Sequence, residues 1–220
     1  GGEHAFAPTE LVFSYGRNIV PPGADPENIL FLPPIDTRCF HNLDNPDDHR
    51  RSGVLLYPGR HQAGLACYPE LAARATLITA SWPETHEELA ALFRRSEAVY
   101  CFESTAIALE ATLCGCPAII LPSPYFNGVL LSAEELGNDG FALDDSPAEV
   151  ERARQTVGRM AQTYQATETR FWQQLERFVA QTQAMPVHAC PPKPADSPAQ
   201  IEARQRYETW RARRTLQEID

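Results

Sequence analysis

The chain has 220 residues, 43% of them hydrophobic, with a formal net charge of -10 and no long basic run. That length supports one well-buried domain with an appendage rather than two full domains, and the acidic balance excludes a nucleic-acid footprint or an anionic membrane surface as the default partner. Apolar stretches such as 54–57 and 117–121 fall far short of the ~20 residues that span a bilayer, so a soluble, cytoplasmic protein is expected.

The opening GGEHAFAPTE has neither the basic start nor the apolar run of a signal peptide. It also lacks an initial Met, which makes a piece excised from a longer protein the expectation. Residues 10–34 hold apolar bursts, Leu11-Val12-Phe13 and Ile29-Leu30-Phe31-Leu32, broken by Pro21-Pro22-Gly23 and Pro33-Pro34. That pattern predicts strands separated by turns. A polar connector at 44–52 leads into GVLLY at 53–57, a buried strand that runs into Pro58-Gly59-Arg60. A glycine in that turn lets backbone approach a ligand closely.

Residues 69–75 read as a helix and ATLITAS at 75–81 as the next strand. Thr85-His86-Glu87-Glu88 is a capping box for a helix with Leu89, Leu92 and Phe93 on one face, ending at Arg94-Arg95. Strand 98–102, helix 105–114 and strand 117–121 follow, then a tight turn at 137–140 and the short apolar run 141–143. Ser146-Pro147-Ala148-Glu149 reads as a second capping box, opening a helix with Val150, Ala153, Val157 and Met160 or Ala161 inward. Phe171, Leu175, Phe178 and Val179 mark a last apolar stripe, and the domain is expected to close near residue 185.

Repeated strand-helix units predict an α/β fold with a Rossmann-like, doubly wound parallel sheet over 1–185. Beyond it, PVHACPPKPADSPA at 186–199 reads as a semi-rigid linker. Residues 200–220 read as a helix with Ile201, Tyr207, Trp210 and Leu216 on an apolar face, which packs on this domain or docks on another domain or subunit.

Six cysteines (Cys39, Cys67, Cys101, Cys114, Cys116, Cys190) are scattered through mostly apolar segments and read as reduced, buried thiols. The Cys114-Gly115-Cys116 spacing is narrower than a zinc C-x2-C pair and has no second pair to complete it, so no metal site is expected. The six histidines are isolated from each other in sequence, and His61 reads as a loop residue.

The chemistry concentrates at 97–122, EAVYCFESTAIALEATLCGCPAIILP. Ligands of open parallel sheets bind at the carboxyl ends of the strands, where Glu103-Ser104-Thr105 precede a helix. Free N–H groups of the first helical turn, with the Ser104 and Thr105 hydroxyls, suit phosphate oxygens, although both residues also read as plain N-caps. Glu110 sits on a helix that is apolar nearly all round, and a carboxylate there needs partners such as a ribose diol. Glu103 is placed to hold sugar hydroxyls, and Arg60 is either a phosphate cation or the partner of a structural acid. Trp82, before Pro83 at a strand end, is a candidate base or sugar contact, whereas Trp172 and Trp210 read as core or interface.

Over about residues 30–180, PPIDTRCF at 33–40, VLLYPGRH at 54–61, the 85–123 segment and ELGNDGFAL at 135–143 resemble the nucleotide-sugar-binding C-terminal half of GT-B glycosyltransferases, most of all the retaining group 1 or family 4 class. The resemblance implies that Gly59 and Arg60 meet the donor diphosphate and that Glu110, in EATLCGCP, binds the ribose. Glu103 corresponds to the first acid of the family's E-x7-E motif, but the spacing here is E-x6-E, and the family's K-G pair is replaced by His61-Gln62-Ala63-Gly64. The Ser104-Thr105 pair is similar to that of GT-B enzymes using CMP sugars, so UDP, GDP, TDP and CMP sugars all stay open as donors.

This likeness implies the donor half of a glycosyltransferase in bacterial surface-polysaccharide synthesis, with Arg60 and Glu103 as catalytic contacts and no cofactor beyond the donor substrate. A saccharide acceptor would be held by a domain preceding residue 1, and other domains would bring the protein to the inner-membrane surface. A non-catalytic assembly module and an epimerase-like enzyme are the alternatives.

Overall fold

The computed structural model describes residues 10–43, 51–123, 130 and 133–185. Gly1–Gln183 form one compact unit, and the second, Ala184–Asp220, falls almost wholly outside the described residues. The proline-rich segment at 186–199, the amphipathic segment at 200–220 and most of the 44–52 connector therefore lie outside them too.

Five apolar runs form the strands β1 (Val54–Tyr57), β2 (Thr76–Leu77), β3 (Ala98–Cys101), β4 (Ala118–Ile120) and β5 (Phe141–Ala142). All pairs are parallel, in the order β2-β1-β3-β4-β5. The helices are α1 (Pro69–Arg74), α2 (His86–Arg95), α3 (Ala106–Leu113), α4 (Ala133–Leu136), α5 (Pro147–Thr156) and α6 (Met160–Ala184). Because side chains alternate across a strand, each strand feeds two cores. Leu55, Val99, Cys101, Ala118, Ile120 and Phe141 pack with α2, α3, α4 and α6. Val54, Leu56, Ala98, Ile119 and Ala142 pack on the other side with Leu71 of α1 and Ala153 of α5. Coverage on both faces explains why these strands read as unbroken apolar runs.

The strands expected over 10–34 do not form; an isolated parallel bridge between Ser14 and Ile29 is the pairing seen there. Prolines at 21, 22, 33 and 34 remove ladder donors, and the apolar side chains act as wedges instead. Ile29 and Phe31 are buried, and the Phe31 N–H bonds the Gln174 side chain on α6 at 2.9 Å. Along the same face of α6, Tyr164 donates to Pro33 O at 2.5 Å and accepts from the Ile35 N–H, and Phe178 meets Phe13 edge-on at 5.0 Å. The strand expected at 75–81 shrinks to two exposed residues at the sheet edge. Beyond Ile78, whose N–H bonds Leu56 O, the chain turns back through a Thr79–Trp82 bridge.

Capping followed the sequence at one site and not at another. Thr85 accepts from the Glu88 N–H at 3.2 Å, while the Glu88 carboxylate reaches Glu84 rather than Thr85. Ser146 makes no side-chain cap; Glu149 pairs with Arg152 at 2.8 Å instead, so the second capping box is absent, although Pro147 does open the helix. Among the described residues the cysteines are free thiols, and Cys67 is exposed rather than buried.

The end of the sheet where strands begin is closed by Arg51. Helix α3 ends with Gly115 at φ +74 as the Cys116 N–H bonds Ala111 O and the Gly115 N–H bonds Thr112 O. This Schellman closure still leaves carbonyls to satisfy. Arg51 donates to Cys114 O at 2.9 Å on α3, to Phe93 O at 2.8 Å and Ser96 O at 3.2 Å at the end of α2, and to Asn42. A β-carbon on Gly115 would stand 2.6 Å from both Arg51 and Asn42 side-chain nitrogens, so glycine is required by conformation and by space. Arg51→Ala is expected to cost about 2–3 kcal/mol, the scale for charged donors removed from carbonyls that water reaches poorly. Denaturant unfolding should show a lower midpoint at unchanged slope, and an unchanged midpoint would exclude the clasp as a stabilising element.

Candidate functional site

In this strand order the chain reverses direction of travel between β1 and β3. From β1 it moves outward to β2 through α1 on one face, then returns to β3 through α2 on the other. A reversal of this kind opens a crevice at the carboxyl ends of the two strands. The pairing of Tyr57 with Cys101 fixes the strand ends side by side, so the turn at 58–61 and the turn at 102–105 face each other.

Residues from both turns meet there. Gly59 adopts φ +56, and a β-carbon on it would come within 3.0 Å of Glu103 Oε1. Arg60 grips Glu103 through Nη2 to Oε2 at 3.1 Å and Nε to Oε2 at 3.3 Å. His61 Nε2 lies 3.2 Å from the same Oε2. The three side chains differ in access: Arg60 is 80% exposed, Glu103 17% and His61 20%. An ion pair with so exposed a partner is weak and exchangeable, which leaves Arg60 able to change anions.

The polar turn after Glu103 starts α3. Thr105 is the N-cap, accepting from the Ala108 N–H at 3.3 Å. Ala106 and Ile107, as the first two helical residues, present N–H groups that the helix itself does not use. Ser104 is half-buried, and among the described residues its hydroxyl has no hydrogen-bond partner. Thr105 therefore fills the structural role expected of a cap, while Ser104 has a hydroxyl to offer.

Glu110 projects from α3, whose Ala108, Leu109, Ala111, Thr112 and Leu113 are all buried. Burial pushes its carboxyl up from the ordinary range, opposed by the charge of His86 at the start of α2. Among the described residues no donor bonds its carboxylate. Tyr57, at the end of β1, is raised first by burial and then by the charges of Cys101, Glu103 and Glu110. Both acids thus act on one strand end.

Of the sequence candidates, the structure brings Gly59, Arg60 and Glu103 into contact and sets Ser104 and Thr105 at the start of α3, while Glu110 lies further along that helix, where its charge acts on Tyr57 and also on Cys39. His61, read from sequence as a loop residue, belongs to the cluster; its position directly after Gly59-Arg60 at a strand end was the available signal. Trp82 is half-exposed and lines a groove of about 280 Å³ with Glu88, Ala91, Leu92 and Arg95 of α2, none of them site residues. Trp172 is 57% exposed and so is not core. A cavity of about 470 Å³ lies at the far end of α3, lined by Phe40, His41, Leu113, Gly115, Val157 and Tyr164 among others. It contains none of the residues at the β1–β3 reversal.

Among the described residues no three His, Cys, Asp or Glu side chains cluster as a metal site, and no helix is long and apolar enough to cross a membrane. Comparison with protein-family models, curated proteins and solved structures finds no match to this chain.

Because Glu110 is raised by burial, its ionised form opposes folding above the folded-state pKa. The penalty disappears below the unfolded value of ~4.3, where both states are protonated. Glu110→Gln is therefore expected to raise the melting temperature at pH 7 to 8 and to lose that advantage as the pH falls below about 4. Thermal scans across this range test it; a difference that does not change with pH would show that the carboxylate carries no burial penalty.

Proposed function

We propose that the domain binds a nucleotide sugar at the β1–β3 reversal and serves as the donor half of a glycosyltransferase. The observation that carries this reading is the Gly59-Arg60 turn meeting Glu103 beside the start of α3, with the half-buried Glu110 on that helix. Cation, free N–H groups and carboxylates are the three chemistries a nucleoside diphosphate sugar requires: charge for the phosphates, donors for their oxygens, acceptors for the diols.

In this reading Arg60 leaves Glu103 to meet the phosphate, and the α3 N-terminus with the Ser104 hydroxyl adds donors. Together they stabilise negative charge growing on the departing nucleotide, which is electrostatic assistance that needs no proton transfer. Glu110 fixes the ribose, and Glu103 faces the sugar hydroxyls. The acceptor saccharide is held by a separate domain across the cleft, and transfer requires both halves. The exposed face of Arg60 is consistent with a partner arriving from solvent.

Thermal shift with UDP, GDP, TDP and CMP tests the reading. Saturation at 100 times the dissociation constant stabilises the folded chain by about 2.7 kcal/mol. Arg60→Ala is expected to weaken the productive nucleotide about tenfold or more, by removing a charge-assisted contact, and Glu110→Ala should weaken it as well. Absence of a shift with all four nucleotides would end the donor-site reading.

A further inference from the structure

Two side chains, Arg60 and His61, share the Glu103 carboxylate, and the structure holds them differently. His61 is anchored at three points: its N–H bonds Pro58 O at 2.9 Å, its carbonyl accepts from the Gly64 N–H at 2.9 Å, and its ring lies against Glu103. Arg60 reaches out to solvent and grips Glu103 only through its guanidinium. A phosphate arriving at the strand ends therefore recruits Arg60 first. Glu103 cannot follow, because its side chain is largely buried and one oxygen lies against the backbone at Gly59. Removing Arg60 would leave a buried carboxylate beside a newly bound anion, which is an unfavourable pairing of like charges in a poorly solvated place.

We propose that phosphate binding at Arg60 is coupled to uptake of one proton by His61, so that an imidazolium replaces the guanidinium as the counter-ion of Glu103. Its ligand rests on the nucleotide reading above. The proton comes from solvent and adds to the imidazole ring; no bond in the ligand forms or breaks. His61 is already the donor to Glu103 whichever its charge, because an ionised carboxylate only accepts. Proton uptake thus strengthens an existing bond rather than requiring a new one.

The other titratable groups at these strand ends are poor competitors for the role. Tyr57 is raised by burial and by neighbouring negative charge, and Cys101 is pushed up to about 12 by burial, so both stay neutral near pH 7. Arg60 stays charged, and Glu110, raised by burial against the charge of His86, makes no hydrogen bond to Arg60 or Glu103 among the described residues. His61, with Nε2 3.2 Å from Glu103 Oε2, is the side chain already in place at the point where Arg60 departs. Where uptake is complete, phosphate affinity falls tenfold for each unit of rising pH.

Isothermal titration of the 220-residue chain with UDP, GDP, TDP, CMP and, separately, pyrophosphate, in buffers of different ionisation heat, counts the protons taken up at pH 7.5. Binding with net uptake of up to one proton is expected. His61→Gln, whose amide still donates to the carboxylate, should bind more weakly and take up none. Glu103→Gln removes the need for a counter-ion, so it too should bind without uptake and should lose the pH dependence of affinity. Binding with no uptake, or with equal uptake in the wild type and His61→Gln, overturns the coupling and leaves the donor reading intact. Pyrophosphate binding with uptake but no nucleotide binding keeps the coupling and overturns the donor reading. No binding of any of the five overturns both.

Discussion

Parallel pairing of β1 with β3, in register from Val54–Ala98 to Tyr57–Cys101, is the constraint on which the rest of this structure depends. These strands are 44 residues apart in sequence at Val54 and Ala98, with an outward excursion through β2 between them, so their adjacency is a product of topology and not of chain order. It places the reversal of strand order between β1 and β3, where open parallel sheets bind their ligands. It also decides which turns can touch. A slip of one register position would send Leu55 and Val99 to the wrong core and separate Gly59 from Glu103.

Within that frame, α3 combines two demands that oppose each other. Its residues are nearly all apolar because it is buried between the sheet and its neighbours, yet it also carries Glu110 with burial acting against the charge. The Thr105 cap and the Schellman closure at Gly115 hold both ends of the helix, so its position does not depend on Glu110 finding a partner.

Much of this was legible in the sequence because the signals are local. Apolar runs of four or five residues marked β1, β3 and β4, and Thr85 and Thr105 marked helix starts with side chains that do cap. The failures share a cause in distant partners. Leu11 to Phe13 and Ile29 to Leu32 carry the composition of strands, but the prolines beside them supply no ladder donors, and the Phe31 N–H is taken by Gln174 of α6, a partner about 140 residues away. Glu149 fits a capping box until Arg152 takes it with two hydrogen bonds. His61 reads as loop filler until the fold brings Glu103, 42 residues later, beside its ring. Sequence spacing identifies which groups a turn presents, and topology decides which turn it meets.

Arg51 has a consequence in the order of synthesis. The carbonyl it holds on α3 belongs to a residue 63 positions further along, which a ribosome adding ~5–20 residues per second supplies only some ~3–13 s later. β1 leaves the ribosome immediately after Arg51, with Leu55 and Leu56 destined for opposite cores and neither yet built. The nascent domain therefore passes through an interval in which its first strand exists without its neighbour β3, its cover or its clasp, and that interval is when an apolar edge is most open to pairing with the wrong chain.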